Sequence, residues 1–367
     1  MSARFLTAVS GRAFNMRDRF GREIDYMRIS VIDSCNLNCY YCNPQDNNKN
    51  CQAINILSVK KVLCIVRAAT RLGITHFRLT GGEPLLHPQI DEMVSQIKKI
   101  PGVRSVSLTT NAVLLAQHAK QLKEAGIDSI NVSLDTIDAS EYEYITKKPL
   151  LDKVEHGIDA AIECGIRVKI NAVLTPQTDV VALTRYASKK GTDIRFIEMM
   201  PVGEGHTNGV EPYKKVIGAL LEVYGTPCHI DTENREEINS GYNNADNGPA
   251  EYYIFPELGI RVGLIQAIHG KFCATCNRIR VTADGRLMPC LGSSVTMDLV
   301  PDSCEFTDDL EKDFVIAQAL KAAIKAKPGC HNFNDNAVTY TKTTETKTTE
   351  IEAAEVNAAR NMSRIGG

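Results

Sequence analysis

The sequence lacks several features that would direct a protein to a membrane or to nucleic acid. It contains no apolar run of about 18 residues, the length that a bilayer-spanning helix requires. It also has no excess of positive charge, because 42 lysines and arginines stand against 44 acidic residues, a formal net charge of −2. Proteins that bind nucleic acid or membrane surfaces usually carry a basic excess. We therefore expect no nucleic-acid partner and no membrane partner.

The N-terminal segment lacks the apolar core of a secretory signal. No acidic residue precedes Asp18, a composition similar to that of an organellar transit peptide, although a disordered arm is the simpler interpretation. We expect the protein in a reducing compartment, the cytoplasm, with the mitochondrial matrix as the alternative. There, the 12 cysteines indicate metal binding or catalysis rather than disulfides.

Strand-like and helical segments alternate through the first half of the chain. The strand-like segments are 27–33, 76–82, 105–111, 129–135, 167–173 and 193–199; the helical ones are 57–72, 88–100, 113–125, 150–164 and 178–190. Several helical segments end at a glycine, as helix C-termini do. This alternation predicts an α/β fold with a parallel sheet, an incomplete (βα)6 TIM-type barrel.

Polar residues recur at every second position of the predicted strands. They are Arg28 and Ser30; Arg78 and Thr80; Ser107 and Thr109; Asn131, Ser133 and Asp135; Lys169 and Asn171; and Arg195. Alternate residues of a strand share one face, so these side chains would line the barrel interior while the apolar ones meet the helices. Unpaired buried charge is too costly for a dry core. The interior is therefore predicted to bind an anion.

The first cysteine group follows the first strand, where barrel folds place their active sites. Cys35, Cys39 and Cys42 have the spacing C-x3-C-x2-C. Three thiolates can ligate three irons of a [4Fe–4S] cube and leave the fourth iron open. The alternatives are a zinc site, which would need a fourth ligand nearby, and incidental cysteines.

A glycine pair and a glutamate end the second predicted strand, in the motif Thr80-Gly-Gly-Glu-Pro84. The glycines, Gly82 among them, would let the backbone approach a ligand, and Glu83 offers a carboxylate to an ammonium. Alone this motif is weak. After a strand, and downstream of the cysteine group, it is far more specific.

A second cysteine group lies in the last third of the chain. Cys273, Cys276 and Cys290 have the spacing C-x2-C-x13-C. We prefer a second cluster with one open iron; the alternative is zinc with Cys304 as fourth ligand. Arg278 and Arg280 follow closely, and their guanidinium groups suit phosphate oxygens. The alternative for this Arg-x-Arg pair is a solvated surface strand.

The motifs of residues 25–200 resemble those of the radical S-adenosylmethionine (SAM) superfamily. With Phe20-Gly-Arg, Arg195-Phe-Ile-Glu198, Cys276-Asn-Arg-Ile-Arg280 and the terminal Gly366-Gly367, the whole chain is similar to the GTP 3′,8-cyclase family. Rival interpretations are another radical SAM enzyme with an auxiliary cluster, such as a peptide modifier, and a non-catalytic zinc-binding or electron-transfer protein.

The resemblance implies a role for each matching residue. Cys35, Cys39 and Cys42 would hold the SAM cluster, with Tyr41, Gly82, Ser133 and Met200 contacting SAM; Cys273, Cys276 and Cys290 would hold the auxiliary cluster; Arg28, Arg78, Thr109, Lys169, Arg195, Arg278 and Arg280 would bind GTP. The terminal Gly366 and Gly367 would reach the active site, although from sequence alone a flexible terminus is the simpler interpretation.

The resemblance also implies the reaction and its partners. A radical derived from SAM would abstract the ribose 3′ hydrogen of GTP, and C3′ would then add to guanine C8, giving (8S)-3′,8-cyclo-7,8-dihydroguanosine 5′-triphosphate. This is the first step of molybdenum cofactor biosynthesis. A flavodoxin- or ferredoxin-type electron donor, a downstream cyclic pyranopterin monophosphate synthase and a homodimer are expected.

We predict five segments: an N-terminal arm at 1–24, the radical SAM barrel at 25–212, an auxiliary-cluster domain at 213–338, a low-complexity linker at 339–350 and a tail at 351–367. Two departures from the family pattern stand out. Ala112 replaces the glycine of the usual TTNG, for which we expect only a local adjustment. The repeated TKTTE lengthens the approach to the Gly-Gly tail.

Overall fold

The computed structural model describes residues 16–42, 54–202, 209–230, 248–293, 295–299, 309–331 and 333. Six parallel strands form its centre: β1 (Tyr26–Ser30), β2 (His76–Thr80), β3 (Ser105–Thr110), β4 (Ser129–Ser133), β5 (Arg167–Val173) and β6 (Asp193–Ile197). Six helices connect them: α1 (Val59–Thr70), α2 (Ile90–Lys98), α3 (Leu115–Glu124), α4 (Ala139–Thr146), α5 (Leu151–Glu163) and α6 (Val180–Lys189). The predicted βα alternation is confirmed.

The C-terminal half extends this same sheet at both edges. Its elements are α7 (Ala219–Tyr224), β7 (Cys228–Ile230), β8 (Glu251–Ile254), β9 (Arg261–Ile265), β10 (Arg278–Val281), β11 (Arg286–Met288), β12 (Met297–Asp298) and α8 (Asp309–Ala326). The strand order is β12-β11-β10-β1-β2-β3-β4-β5-β6-β9-β8-β7. Strand β10 pairs in parallel with β1, and β9 pairs in parallel with β6. The second cysteine group thus flanks two strands, β10 and β11, that continue the barrel sheet.

Local sequence explains where the helices begin and end. The side chains of Ser58, Asp138 and Asp179 accept a hydrogen bond from a backbone N–H of the first turn of α1, α4 and α6. Glycines with positive φ follow α1, α3, α5 and α6, as predicted: Gly73, Gly126, Gly165 and Gly191. Helix α4 was not predicted. Along the described residues, no helix is both long and apolar enough to cross a bilayer.

Some predictions fall outside the described residues. They concern Gly366 and Gly367, Cys304, the TKTTE linker and most of the N-terminal arm.

Candidate active site

The inner face of the sheet brings polar residues of neighbouring strands side by side. The opposed pairs are Arg28 with Arg78 and with Arg280, Arg78 with Ser107, Thr109 with Asn131, Asn131 with Lys169, and Asn171 with Arg195. Within the part of the chain that the structure describes, the Nε of Arg78, the Nη2 of Arg195 and the Oγ1 of Thr109 are buried without a hydrogen-bond partner. Buried polar atoms normally have partners, so unpaired ones mark a place for a polar ligand.

The pKa values show that these cations crowd one interior. Burial, assisted by the charges of Arg195 and Arg167, lowers the pKa of Lys169 to about 5. Burial also lowers the pKa of Arg195, and the charge of Arg78 acts in the same direction. Arg78 is on β2 and Arg195 on β6, with β3, β4 and β5 between them in the sheet. The sheet is therefore curled, and a polyanion inside it would relieve the repulsion.

The first cysteine group lies in the loop that leaves the carboxyl end of β1. The amide of Asn38 donates to the carbonyl of Thr146 at 3.0 Å, and the amide of Tyr40 donates to that of Ile145 at 3.1 Å. Leu37, immediately before Asn38, is buried. The C-terminal end of α4 therefore holds the loop in place.

The thiols of this group are close enough to influence one another. Burial raises the pKa of Cys35 to about 11 and that of Cys42 to about 12, and it raises the pKa of Cys39 as well; neighbouring thiols add to the shift at Cys39 and Cys42. Metals bind the thiolate, so binding here would release protons.

This donor set fits an iron–sulfur cube. Among the described residues, no three His, Cys, Asp or Glu side chains are grouped so as to hold a single metal ion. Each thiolate of a [4Fe–4S] cube binds a different iron, so its sulfurs stand farther apart than ligands that share one ion. Cys35, Cys39 and Cys42 supply the three thiolates that such a cube needs, so this donor set fits it.

The glycine pair after β2 is required by the chain itself. A Cβ on Gly82 would stand 2.3 Å from the carbonyl oxygen of Ser34, and one on Gly81 would stand 2.5 Å from that of Ile32. The amide of Gly82 donates to the Ile32 carbonyl at 2.7 Å. The backbone of this glycine pair therefore lies close to residues 32–34, which lead into the cysteine loop. Its contact with a ligand stays a prediction.

Glu83 is buried and accepts three hydrogen bonds from the protein. Its carboxylate accepts from the hydroxyl of Thr110 at 2.6 Å, the amide of Asn111 at 2.7 Å and the amide of Leu85 at 3.0 Å. Burial raises its pKa to about 7 despite these bonds. The Asn111 side chain in turn donates to the Cys35 sulfur at 3.7 Å. Glu83 therefore joins the loops after β2 and β3 beneath the cysteines; its contact with an ammonium stays a prediction.

The other residues predicted to contact SAM lie along the same edge of the sheet or beyond it. The Tyr41 hydroxyl donates to Asp135 at 2.5 Å, and Asp135 accepts from the Val173 amide at 2.8 Å. Ser133, the last residue of β4, is exposed. Met200 follows β6 and packs against a small apolar cluster of Val202, Met288 and Phe333.

The second cysteine group surrounds the start of β10. Cys273 lies in the 3-10 turn Phe272–Thr275, and the Arg278 guanidinium carbon is 5.0 Å from the centroid of the Phe272 ring. Although burial raises the pKa of Cys276, the charges of Arg278 and Lys327 lower it to about 7. Arg280 is only 6% exposed. Burial of Arg280 is contrary to the solvated-strand alternative, whereas Arg278 is only partly buried.

The two cysteine groups lie at opposite ends of β1 and β10. These strands are parallel, with Tyr26 opposite Arg278, so Cys276 precedes them whereas Cys35 follows them. At about 3.3 Å per residue, a five-residue strand separates the two ends by roughly 17 Å. The interior cations Arg28 and Arg280 are on these two strands, between the two cysteine groups.

Two family models match consecutive parts of the chain. The model described as the Radical SAM superfamily matches residues 29–183, and the model described as Molybdenum Cofactor Synthesis C matches residues 192–333. The GTP 3′,8-cyclase of Clostridium perfringens (strain SM101) is 35% identical over 321 residues, covering 87% of this chain and 95% of the relative. That of Pelotomaculum thermopropionicum is 36% identical over 324 residues, covering 86% and 95%.

The chain belongs to the GTP 3′,8-cyclase family.

Solved structures similar to this GTP 3′,8-cyclase family member support the fold. Streptococcus suis SuiB bound to S-adenosylmethionine has a TM-score of 0.55 at 16% identity, over 82% of this chain and 68% of that one. SuiB bound to its precursor peptide SuiA has a TM-score of 0.57 at 15% identity, over 84% and 68%. At such identities the likeness shows a shared α/β fold alone.

Sequence reasoning overlooked one residue of this family member's interior, Tyr26. Its ring lies 5.8 Å from the Arg78 guanidinium carbon, and its hydroxyl bonds to Ser107. Burial raises its pKa, but the charges of Arg78, Arg28 and Arg278 outweigh burial and lower it. The signal was present, because Tyr26 lies two residues before Arg28 on the same strand face.

A second overlooked contact joins Glu198 to His269. The Glu198 carboxylate accepts from the amides of Ile268 at 2.8 Å and His269 at 3.1 Å, and it also bonds to the His269 ring. This carboxylate orders the turn after β9. The sequence did not indicate this contact, because 71 residues separate Glu198 from His269.

Proposed function

We propose that this chain is a radical SAM enzyme that converts GTP to (8S)-3′,8-cyclo-7,8-dihydroguanosine 5′-triphosphate, the first step of molybdenum cofactor biosynthesis. One observation carries the proposal: a buried cationic interior lies between two three-thiol sites. The first site would hold the SAM cluster, which supplies the electron for reductive cleavage of SAM when it is bound. The second would hold an auxiliary cluster.

The residues of the interior would bind and orient GTP. Arg28, Arg78, Lys169, Arg195, Arg278 and Arg280 would supply positive charge, and Thr109 a hydroxyl. The unpaired Nε of Arg78 and Nη2 of Arg195 support this assignment, since phosphate oxygens accept hydrogen bonds from guanidinium groups. By holding the ribose in one orientation, these residues would make hydrogen abstraction an effectively unimolecular step and so lower its entropic cost.

Around the first cluster, Tyr41, Gly82, Ser133 and Met200 would contact SAM. The positions of Tyr41 and Gly82 in or beside the cysteine loop support this part of the proposal. The terminal Gly366 and Gly367 would complete the active site. We also propose a flavodoxin- or ferredoxin-type donor, a downstream cyclic pyranopterin monophosphate synthase, a homodimer and a cytoplasmic location.

Anaerobic turnover tests the function. The reconstituted protein, given dithionite, SAM and GTP, should form 5′-deoxyadenosine at a rate that depends on GTP, and the cyclised nucleotide should appear with it. ATP serves as the control nucleotide, because it has the same triphosphate but a different base. If the rate of 5′-deoxyadenosine formation were the same with and without GTP, a different radical SAM activity, such as peptide modification, would be favoured.

A further inference from the structure

A buried lysine stands beside the second cysteine group and has no place in the function proposed so far. Lys327 follows the last residue of α8 and is only 2% exposed. Its sequence neighbourhood is a helix end, Lys-Ala-Lys-Pro-Gly, which reads as an ordinary basic helix terminus. Burial of a lysine ammonium costs much free energy unless it is paired, so this position requires a physical reason.

The contacts of Lys327 all lead to the second cysteine group. Its Nζ donates to the Cys276 sulfur at 3.5 Å, to the Arg278 carbonyl at 2.8 Å and to the Pro289 carbonyl at 3.0 Å. An ammonium has three N–H donors, so these three acceptors use all of them. Pro289 immediately precedes Cys290. The single ammonium therefore ties the segment around Cys276 to the segment that carries Cys290.

Nearby, Arg22 makes a comparable set of contacts but differs in having a carboxylate beside it. Its guanidinium donates to the carbonyl of Cys273 at 2.7 Å and to that of Pro328 at 2.7 Å. It also forms a buried ion pair with Asp18 at 2.6 Å. Arg22 thus has a carboxylate as its counter-ion. None of the three hydrogen-bond acceptors of Lys327 is a carboxylate, and the only one that can become an anion is the Cys276 thiol.

We propose that Lys327 is a positioning residue of the auxiliary [4Fe–4S] site, whose ammonium donates an N–H···S hydrogen bond to Cys276, holds the Cys276 and Cys290 segments together and stabilises the reduced cluster. The inference rests on the proposed function, because it takes Cys273, Cys276 and Cys290 as cluster ligands. A ligating sulfur keeps lone-pair density that can accept a hydrogen bond. Such a bond, and a nearby positive charge, favour the more negative state and raise the reduction potential.

The experiment isolates the auxiliary site. A parent variant with Cys35, Cys39 and Cys42 changed to alanine retains only the second cysteine group. In this parent we would introduce Lys327→Met, which removes the charge and all three donors; Lys327→Gln, which removes the charge but keeps an N–H donor; and Lys327→Arg, which keeps the charge. After anaerobic reconstitution, iron is quantified, and one-electron reduction is followed by electron paramagnetic resonance during a dithionite titration.

The matched control weakens the same helix without touching a thiol. Asp313 on α8 is buried and accepts hydrogen bonds from Arg67 at 3.0 Å and Arg71 at 3.2 Å on and beside α1. Asp313→Asn should lower the melting temperature but leave the cluster potential unchanged. A change that merely loosens α8 is thereby separated from one that acts on the cluster.

The expected result is about four irons per chain in the parent, a lower midpoint potential in Lys327→Met and Lys327→Gln, and a potential near that of the parent in Lys327→Arg. Loss of iron from Lys327→Met while Asp313→Asn stays loaded would also support the positioning role. If Lys327→Met matches the parent in both iron and potential, the inference is wrong and the proposed function stands. A parent that binds no iron overturns both.

Discussion

Arg278 is the interior cation closest in sequence to the auxiliary thiols, and its guanidinium lies over the Phe272 ring. We predict that Arg278→Ala weakens GTP binding about 10- to 100-fold, the usual loss for a hydrogen bond to a charged group. SAM binding should not change. Arg286→Ala on the neighbouring strand β11 is the control, because Arg286 is exposed and pairs with Asp298. Equilibrium binding of each ligand measures both effects; equal loss of GTP and SAM affinity would contradict the assigned role.

Lys169 gives GTP binding a pH dependence. Burial and neighbouring charges lower its pKa to about 5, so at pH 7 the amine is mostly neutral in the free protein. A bound triphosphate would raise that pKa and draw a proton from solution, so GTP affinity should rise as the pH falls from 8 towards 6.

Calorimetry in two buffers of different ionisation enthalpy measures this proton uptake. We expect less uptake on GTP binding in Lys169→Met, which cannot be protonated, and in Lys169→Arg, which is already charged. If both variants take up as many protons as the native protein, a group other than Lys169 is protonated on GTP binding.

Ala112 occupies a backbone conformation that favours glycine. Its φ is 62° and its side chain is fully buried, so this alanine adopts the left-handed geometry itself. Relief of this strain offsets the loss of one methyl group, so Ala112→Gly should leave the melting temperature unchanged or raise it. Ala69→Gly in α1 is the control and should cost about 1–2 kcal/mol. A comparable loss at Ala112 would show that its backbone is not strained.

At the scale of elements, the sequence predicted the parallel strands to within two residues at their N-terminal ends and missed only one helix of the barrel, α4. Hydrophobic periodicity and glycine positions are local signals, and they suffice for long elements. Helix α4 was overlooked because it has only 8 residues and lies beside a second helix before the next strand. Five of the six strands end one to three residues earlier than predicted, and β5 ends at the predicted residue, Val173.

Helix α5 packs against the start of α3 through Gly157. A Cβ there would stand 2.4 Å from the Ala112 carbonyl oxygen and 3.1 Å from the Leu115 Cβ. Glycine to alanine within a helix usually stabilises it, but we expect Gly157→Ala to lower the free energy of unfolding by about 1–3 kcal/mol because the helices must separate. At Gly218 a Cβ would meet nothing within 4 Å, and Gly218→Ala should stabilise by about 0.5–1 kcal/mol. Chemical denaturation measures both; the same sign at both sites would refute the close packing.

At the scale of the whole molecule, the two cysteine groups should behave as independent metal sites, since they lie at opposite ends of the same strands. Anaerobic reconstitution should give about eight irons and eight sulfides per chain. Changing Cys273, Cys276 and Cys290 to alanine should leave about four irons bound at the first group. Stoichiometric zinc in place of iron at either group would indicate a structural metal site instead.

The order of strands and helices, the polar face of each strand and the two cysteine spacings were readable in the sequence, because each is a pattern among residues close together in the chain. Tertiary structure alone decided that β9 and β10 join the two edges of the barrel sheet, which sets Arg280 beside Arg28, and that Lys327 reaches a sulfur 51 residues away. It also showed that Glu83 bonds to the protein's own donors. Periodicity records which face of an element is polar. Which distant faces meet depends on how the chain closes its loops and buries its apolar surface, and no local spacing encodes that.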